Sequence, residues 1–153
     1  MTSTLFVFDH KYPKDDEGTY YYSSGFDQDF FSRYFQIFDR FDIFGRSLII
    51  DKGIATPIDY CKFPTKITTI ASNKKMVAAY SRLKNEILLH DAVICRMPSL
   101  FGALAINICR MYKIPYIVEI VACTYDALVN SPSWKRRLMA MPAELIYREV
   151  LKD

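Results

Sequence analysis

Glycine is scarce in this chain and histidine scarcer. Five glycines occur in 153 residues (Gly18, Gly25, Gly45, Gly53 and Gly102), none spaced as G-x-G-x-x-G or leading into the Lys-Ser/Thr of a phosphate loop. Their placement excludes the usual dinucleotide-binding and P-loop domains. A G-x-S-x-G elbow is also missing, which removes the α/β-hydrolase route to catalysis. The two histidines, His10 and His90, lie far apart, and Cys61, Cys95, Cys109 and Cys123 include no C-x-x-C pair. No metal is therefore expected, and the cysteines read as reduced core thiols. The longest apolar run, Leu100 to Ile106, is far short of the ~20 residues a spanning helix needs. No basic stretch leads into an apolar one at the N-terminus, so a signal peptide is not expected and the chain reads as cytoplasmic. Twenty basic and 17 acidic residues leave a formal charge of only +3, with no block of five like charges. Nucleic acid is not an expected partner.

What is present is an ordinary globular balance of 51% hydrophobic and 24% charged residues. Residues 1–153 read as a single domain, long enough to bury about 68–70% of the surface of its unfolded chain. A first strand is expected over Leu5–Phe8, ending at Asp9, followed by a long loop from His10 to Gly25. Asp27 to Phe38 has the spacing of an amphipathic helix, with Phe30, Phe31, Tyr34, Phe35 and Phe38 on one stripe. Asp27 or Asp29 would cap it, a better account of Asp27-Gln28-Asp29 than a metal-holding D-x-D pattern. Fourteen of the 23 aromatic residues fall within residues 1–44, so this part supplies much of the core volume. Further strands are expected at Phe41–Phe44 and, in the poorly patterned stretch from Asp51 to Ser72, at Ile67–Ile70. Asn73 to Leu89 reads as a helix burying Met76, Tyr80, Leu83 and Ile87. Pro132 to Asp153 is expected to be helical with an interruption at Pro142. Alternating elements of this kind predict an α/β, Rossmann-like doubly wound, mainly parallel sheet.

The region from Asp91 to Asp126 carries the functional signal. Strand Ala92–Cys95 runs into Arg96-Met97-Pro98-Ser99, a helix from Ser99 to Tyr112 follows, and a second strand over Tyr116–Ala122 contains Glu119. Two parallel strands joined by a helix end on the same edge of the sheet, the edge where open α/β sheets bind ligands. Asp9, Arg46, Arg96, Ser99, Glu119 and Asp126 are therefore expected at that edge, the last four around one crevice. Pro98 and Ser99 suit the start of a helix, whose free N–H groups beside a guanidinium would accept an anionic or hydroxyl-rich ligand. The plainer alternative pairs Arg96 with Glu119, since a lone buried carboxylate is costly. Gly18 and Thr19, in the first long loop, are expected to close over the site. Lys135, Arg136 and Arg137 precede apolar helical residues and would either contact an anionic membrane or lie solvated on a packed helix.

Several of these segments resemble one family. Arg96-Met97-Pro98-Ser99-Leu100-Phe101-Gly102 is similar to the R-x-P-S-x-x-G element of family-4 glycosyltransferases, and Ile114 to Val121 is similar to their K-P-Y-V-V-E-V-V strand. Cys123-Thr124-Tyr125-Asp126 stands where many members have C-P-W-D or D-P-W-D, with Thr124 in place of proline and Tyr125 in place of tryptophan. Ala122 replaces a frequent glycine. Phe41 to Arg46 resembles their second strand, and Tyr12 to Gly25 the loop after the first. The resemblance implies the N-terminal, acceptor-binding half of a GT-B fold, ending before its last strand. It implies a retaining enzyme of surface-polysaccharide biosynthesis, acting on a glycan or lipid-linked acceptor. Gly18, Thr19, Arg46, Arg96, Ser99, Glu119 and Asp126 would be the acceptor-binding residues. No cofactor is implied for this domain; a nucleotide-sugar donor is expected in a C-terminal domain that would be its partner. A non-catalytic Rossmann-like binding module is the alternative.

Overall fold

The computed structural model describes residues 2–23, 25–35, 37–52, 55–58, 66–71 and 76–152. Five strands, β1 (Ser3–Lys14), β2 (Arg40–Ile49), β3 (Lys66–Ala71), β4 (Ala92–Met97) and β5 (Tyr116–Ile120), form one all-parallel sheet in the order β3-β2-β1-β4-β5. The chain builds outward from β1 through β2 and β3, then crosses to β4 and β5 on the other side. The fold is α/β, a Rossmann-like doubly wound sheet, and its order reverses between β1 and β4. That reversal, at the carboxyl ends of the strands, is where such sheets bind ligands.

Helix α1 (Gln28–Phe35) covers one face; α2 (Met76–Ile87), α3 (Leu100–Tyr112) and α6 (Ala140–Leu151) cover the other. Two short helices, α4 (Thr124–Val129) and α5 (Trp134–Leu138), lead from β5 to α6. Successive strand residues point to opposite faces, and β1 feeds two cores in this way. Leu5 and Val7 pack with Phe44, Val93 and Cys95 beneath Leu83, Ile87, Phe101 and Ile108. Phe6 packs with Phe41, Ile43 and Ile94 against Phe31 and Tyr34 of α1. The second core is aromatic: Phe6 meets Phe31 edge-on at 6.3 Å and stacks on Phe41 at 5.9 Å. Each such ring contributes roughly 1.5–3 kcal/mol by burial.

The elements differ from the pattern-based expectation mainly at their ends. β1 does not stop at Phe8; after a register shift between Val7 and Lys11 it continues to Lys14, beside Arg46–Ile49 of β2. The expected loop from His10 is thus strand for its first five residues, because β2 also continues past Phe44 and supplies the hydrogen-bond ladder. Gly45 permits this: a Cβ there would lie 2.5 Å from the Tyr12 ring. Helix α1 starts one residue after Asp27, whose Oδ1 accepts the Phe30 N–H at 2.9 Å. In α2, Ala79, Leu83 and Ile87 are buried; Asn73, Lys74 and Lys75 lie outside the described residues, as does Cys61. Cys95 and Cys109 are buried core thiols, but Cys123 is exposed, correcting its assignment to the core. The C-terminal break falls at Met139, not Pro142. Pro142 lies in the first turn of α6, where its missing N–H would have no intrahelical partner.

Candidate functional site

At the sheet reversal, one hydroxyl and one carboxylate join β1 to the start of α3. Ser99 is the N-cap of α3, with an extended backbone. Its Oγ accepts the N–H of Gly102 at 3.0 Å and that of Asp9 at 3.1 Å. Asp9 reaches back: Oδ2 accepts the N–H groups of Leu100 (2.9 Å) and Phe101 (3.2 Å), and Oδ1 accepts Arg46 Nε at 2.6 Å. A helix N-terminus and a guanidinium both favour a carboxylate there. The oxyanion expected at this helix start is therefore supplied by the chain's own Asp9. Arg46 also lies over the Phe101 ring, 4.5 Å from its centre. The Met97–Pro98 peptide is cis. A Cβ on Gly102 would fall 2.5 Å from the Arg96 carbonyl oxygen, so packing of α3 on the end of β4 explains the glycine of the R-M-P-S-L-F-G sequence.

Above this junction opens a cleft of about 400 Å³, lined among others by Asp9, Lys11, Arg46, Thr124, Arg136 and Tyr147, with Ser99 beside them. Arg46 is neutralised by Asp9. Lys11 and Arg136 have no ion-pair partner among the described residues. Burial, and then the charge of Asp9, raise the pKa of Tyr147, so its phenol keeps its proton at neutral pH. Two unpaired cations, two hydroxyls and a phenol suit a ligand that carries both an anionic group and hydroxyls.

Arg96 and Glu119 face the other way. They are opposite one another in the β4–β5 register, and Arg96 shares the α1 face with Phe6, Phe8 and Ile94. Arg96 Nη1 donates to Glu119 Oε2 at 2.8 Å, and their side chains are 14% and 29% exposed. Tyr34 donates its hydroxyl to Glu119 Oε1 at 3.1 Å, and Arg33 lies 3.7 Å from the same oxygen. Burial and the Glu119 charge raise the Tyr34 pKa. The guanidinium stands over Phe30 (4.9 Å), Phe8 and Phe26 (both 5.4 Å), and its buried Nε has no hydrogen-bond partner. His10 stacks on Phe26 at 4.3 Å, and burial and the Arg96 charge lower its pKa, which keeps it neutral at pH 7.

The expected single crevice is thus divided by the sheet itself. Asp9, Arg46 and Ser99 meet on the α3 face; Arg96 and Glu119 pair on the α1 face. Gly18 and Thr19 sit beyond the β1–β2 extension and turn on Asp15: the Gly18 N–H donates to its carbonyl (3.2 Å) and the Thr19 N–H to its carboxylate (2.8 Å). Gly18 has φ 97°, a conformation glycine adopts without steric cost. Asp126 is exposed on α4, while its neighbour Thr124 lines the cleft. Lys11, Thr124, Arg136 and Tyr147 were not legible as site residues. Lys11 carried a faint signal, two residues beyond Asp9, which an extended β1 would have exposed. Among the described residues, no three His, Cys, Asp or Glu side chains converge as a metal site would need. No described helix is long and apolar enough to cross a membrane.

No protein-family profile matches the chain. Protein CapJ of Staphylococcus aureus is 30% identical to it over 158 residues, an alignment that covers 96% of this chain and 39% of that protein. The chain therefore spans well under half the length of this curated relative. Among solved structures, the C-terminal domain of the PF1911 hydrogenase from Pyrococcus furiosus aligns with 76% of this chain and 91% of that domain, at 14% identity and a TM-score of 0.40.

Proposed function

We propose that this chain is the acceptor-binding domain of a retaining GT-B glycosyltransferase that extends a glycan or lipid-linked acceptor in surface-polysaccharide biosynthesis. The observation that carries this reading is the cationic cleft at the reversal of the sheet, walled by the R-M-P-S turn and by α6. The likeness to CapJ supports a place in capsule polysaccharide biosynthesis. Lys11 and Arg136 hold the acceptor's phosphate or diphosphate, and Ser99, Thr124 and Tyr147 meet sugar hydroxyls. Asp9, engaged by three donors, acts as a holder of Arg46 and of α3 rather than as a base. Arg96 and Glu119 position α1 against the sheet from the opposite face. In the transfer itself an acceptor hydroxyl oxygen bonds to the anomeric carbon, while the bond to the nucleoside diphosphate breaks, that group leaves with the electron pair, and its phosphate oxygen takes the hydroxyl proton. The donor side of this chemistry belongs to a second domain.

Calorimetric titration tests the reading. The chain should bind a short-chain polyprenyl-diphosphate sugar and should not bind nucleotide sugars. Lys11→Ala and Arg136→Ala should each weaken binding by about tenfold or more, the worth of one charge-assisted hydrogen bond. Tight nucleotide-sugar binding, or no acceptor binding at all, would overturn the assignment.

A further inference from the structure

Helix α5 contributes nothing to the core: none of its residues is buried, and every residue from 132 to 139 is exposed. It nonetheless carries Trp134 and Leu138, and the outer side of α6 continues with Met141, Leu145 and Ile146. These five apolar side chains are between 59% and 68% exposed. On α6 the inner positions are instead Ala140, Ala143, Tyr147, Val150 and Leu151, so the helix is apolar on two sides. Exposed apolar surface of this extent marks an interaction site.

Charge says what covers it. Lys135, Arg136 and Arg137 have no carboxylate partner among the described residues. Residues 133–152 hold five basic side chains (Lys135, Arg136, Arg137, Arg148 and Lys152) and two acidic ones (Glu144 and Glu149), a surplus of three. Glu144 pairs with Arg148 and Glu149 with Lys152, so the surplus of this segment is Lys135, Arg136 and Arg137. Unpaired Lys and Arg beside exposed Trp, Leu, Met and Ile are the composition of a helix lying in a bilayer interface.

We infer that α5 and the outer face of α6 dock the protein on an anionic lipid surface. Trp134, Leu138, Met141, Leu145 and Ile146 enter the headgroup boundary, and Lys135 and Arg137 meet lipid phosphates. Arg136 and Tyr147 line the cleft on the same two helices, so the docked protein holds that cleft near the membrane.

Trp134 is the sole tryptophan, so its fluorescence reports on this surface directly. Vesicles containing about 30% phosphatidylglycerol should shift its emission to the blue and carry the chain down in sedimentation. Phosphatidylcholine vesicles and high salt should do neither. Replacing Lys135 and Arg137 together by Gln should weaken binding roughly 30-fold, about fivefold for each charge. Leu138→Ser with Leu145→Ser should also reduce it, whereas Val77→Asp, on exposed α2 surface, should leave it unchanged. Circular dichroism melts of each variant establish that the fold persists. Three results would each overturn the inference: no blue shift with anionic vesicles, binding indifferent to the charge substitutions, or a dimer in solution that already buries Trp134 and that Leu145→Ser dissociates. None of these variants alters a group assigned to acceptor binding, so loss of membrane docking and loss of acceptor binding are separate outcomes.

Discussion

Asp9 holds three donors at once, Arg46 Nε and the N–H groups of Leu100 and Phe101. It thereby fixes the α3 start and occupies the anion position there. Asp9→Ala should lower stability by about 1–2 kcal/mol through loss of a helix cap. It should also release Arg46 and two N–H donors, so affinity for inorganic phosphate should rise. Urea unfolding and phosphate titration of one variant thus move in opposite directions; a fall in both would mean that Asp9 shapes the cleft itself. Arg96 behaves otherwise, because its partner Glu119 and its aromatic neighbours lie on the far face. Arg96→Ala should cost about 1–3 kcal/mol, since it removes the ion pair to Glu119 and a cation–π contact, discounted for solvent and for the Tyr34 and Arg33 groups that stay on the carboxylate. Phosphate affinity should be unchanged within a factor of about two. An affinity loss without a stability loss would place Arg96 in the binding machinery.

Two elements depend on close approaches that only particular residues allow. Helix α3 begins against the Arg96 carbonyl at Gly102, where a Cβ would stand 2.5 Å away. Gly102→Ala should therefore destabilise by about 1–3 kcal/mol, as overpacking does, even though alanine favours a helix interior. A melting temperature at or above that of the parent protein would show that the α3 start can shift freely. Helix α6 is pinned at its far end by Arg110, which donates to the carbonyls of Val150 (2.8 Å) and Lys152 (2.6 Å) and to the Tyr116 hydroxyl (3.0 Å). A cation at a helix C-terminus also meets the favourable end of the helix dipole. Arg110→Leu should cost roughly 1.5–3 kcal/mol and raise hydrogen exchange along α6. Because α6 carries Ala143 and Tyr147, the same change should weaken anion binding from more than a helix turn away.

Across the molecule, acid should be the destabilising direction. Burial alone would raise the Asp42 pKa, but hydrogen bonds from His90 and Arg40 outweigh it and hold it low. The Tyr21 hydroxyl and backbone N–H groups lower Asp15, and Ser3 lowers Asp91. For groups whose folded pKa is depressed, the stabilisation is present above the unfolded value and lost as pH falls through the folded one. Stability should begin to fall below about 6.5, where His10 protonates in the unfolded chain but is held neutral in the fold, and fall again below about 4 as these carboxylates protonate; Asp42→Asn should flatten the second fall, and an unchanged profile would remove Asp42 from the cause. Under the proposed acceptor-binding function, this chain should show no glycosyl transfer from nucleotide sugars, since that reading assigns stabilisation of the leaving diphosphate to a second domain; turnover would locate the donor site here. The sequence by itself determined the alternating β and α elements, the parallel sheet and the edge at which Arg96, Ser99 and Glu119 end up, since hydrophobic period and the succession of elements are written in neighbouring residues; Asp9 and Arg46, expected at strand ends, lie within the longer β1 and β2. It also offered the Arg96–Glu119 pair as one of two readings. Only the tertiary structure decided which charges meet. The register shift after Val7 carries β1 on to Lys11, and the fold of α5 and α6 brings residues 136 and 147 over residue 9. An ion pair depends on a few ångströms between side chains remote in sequence, and no local pattern encodes that distance.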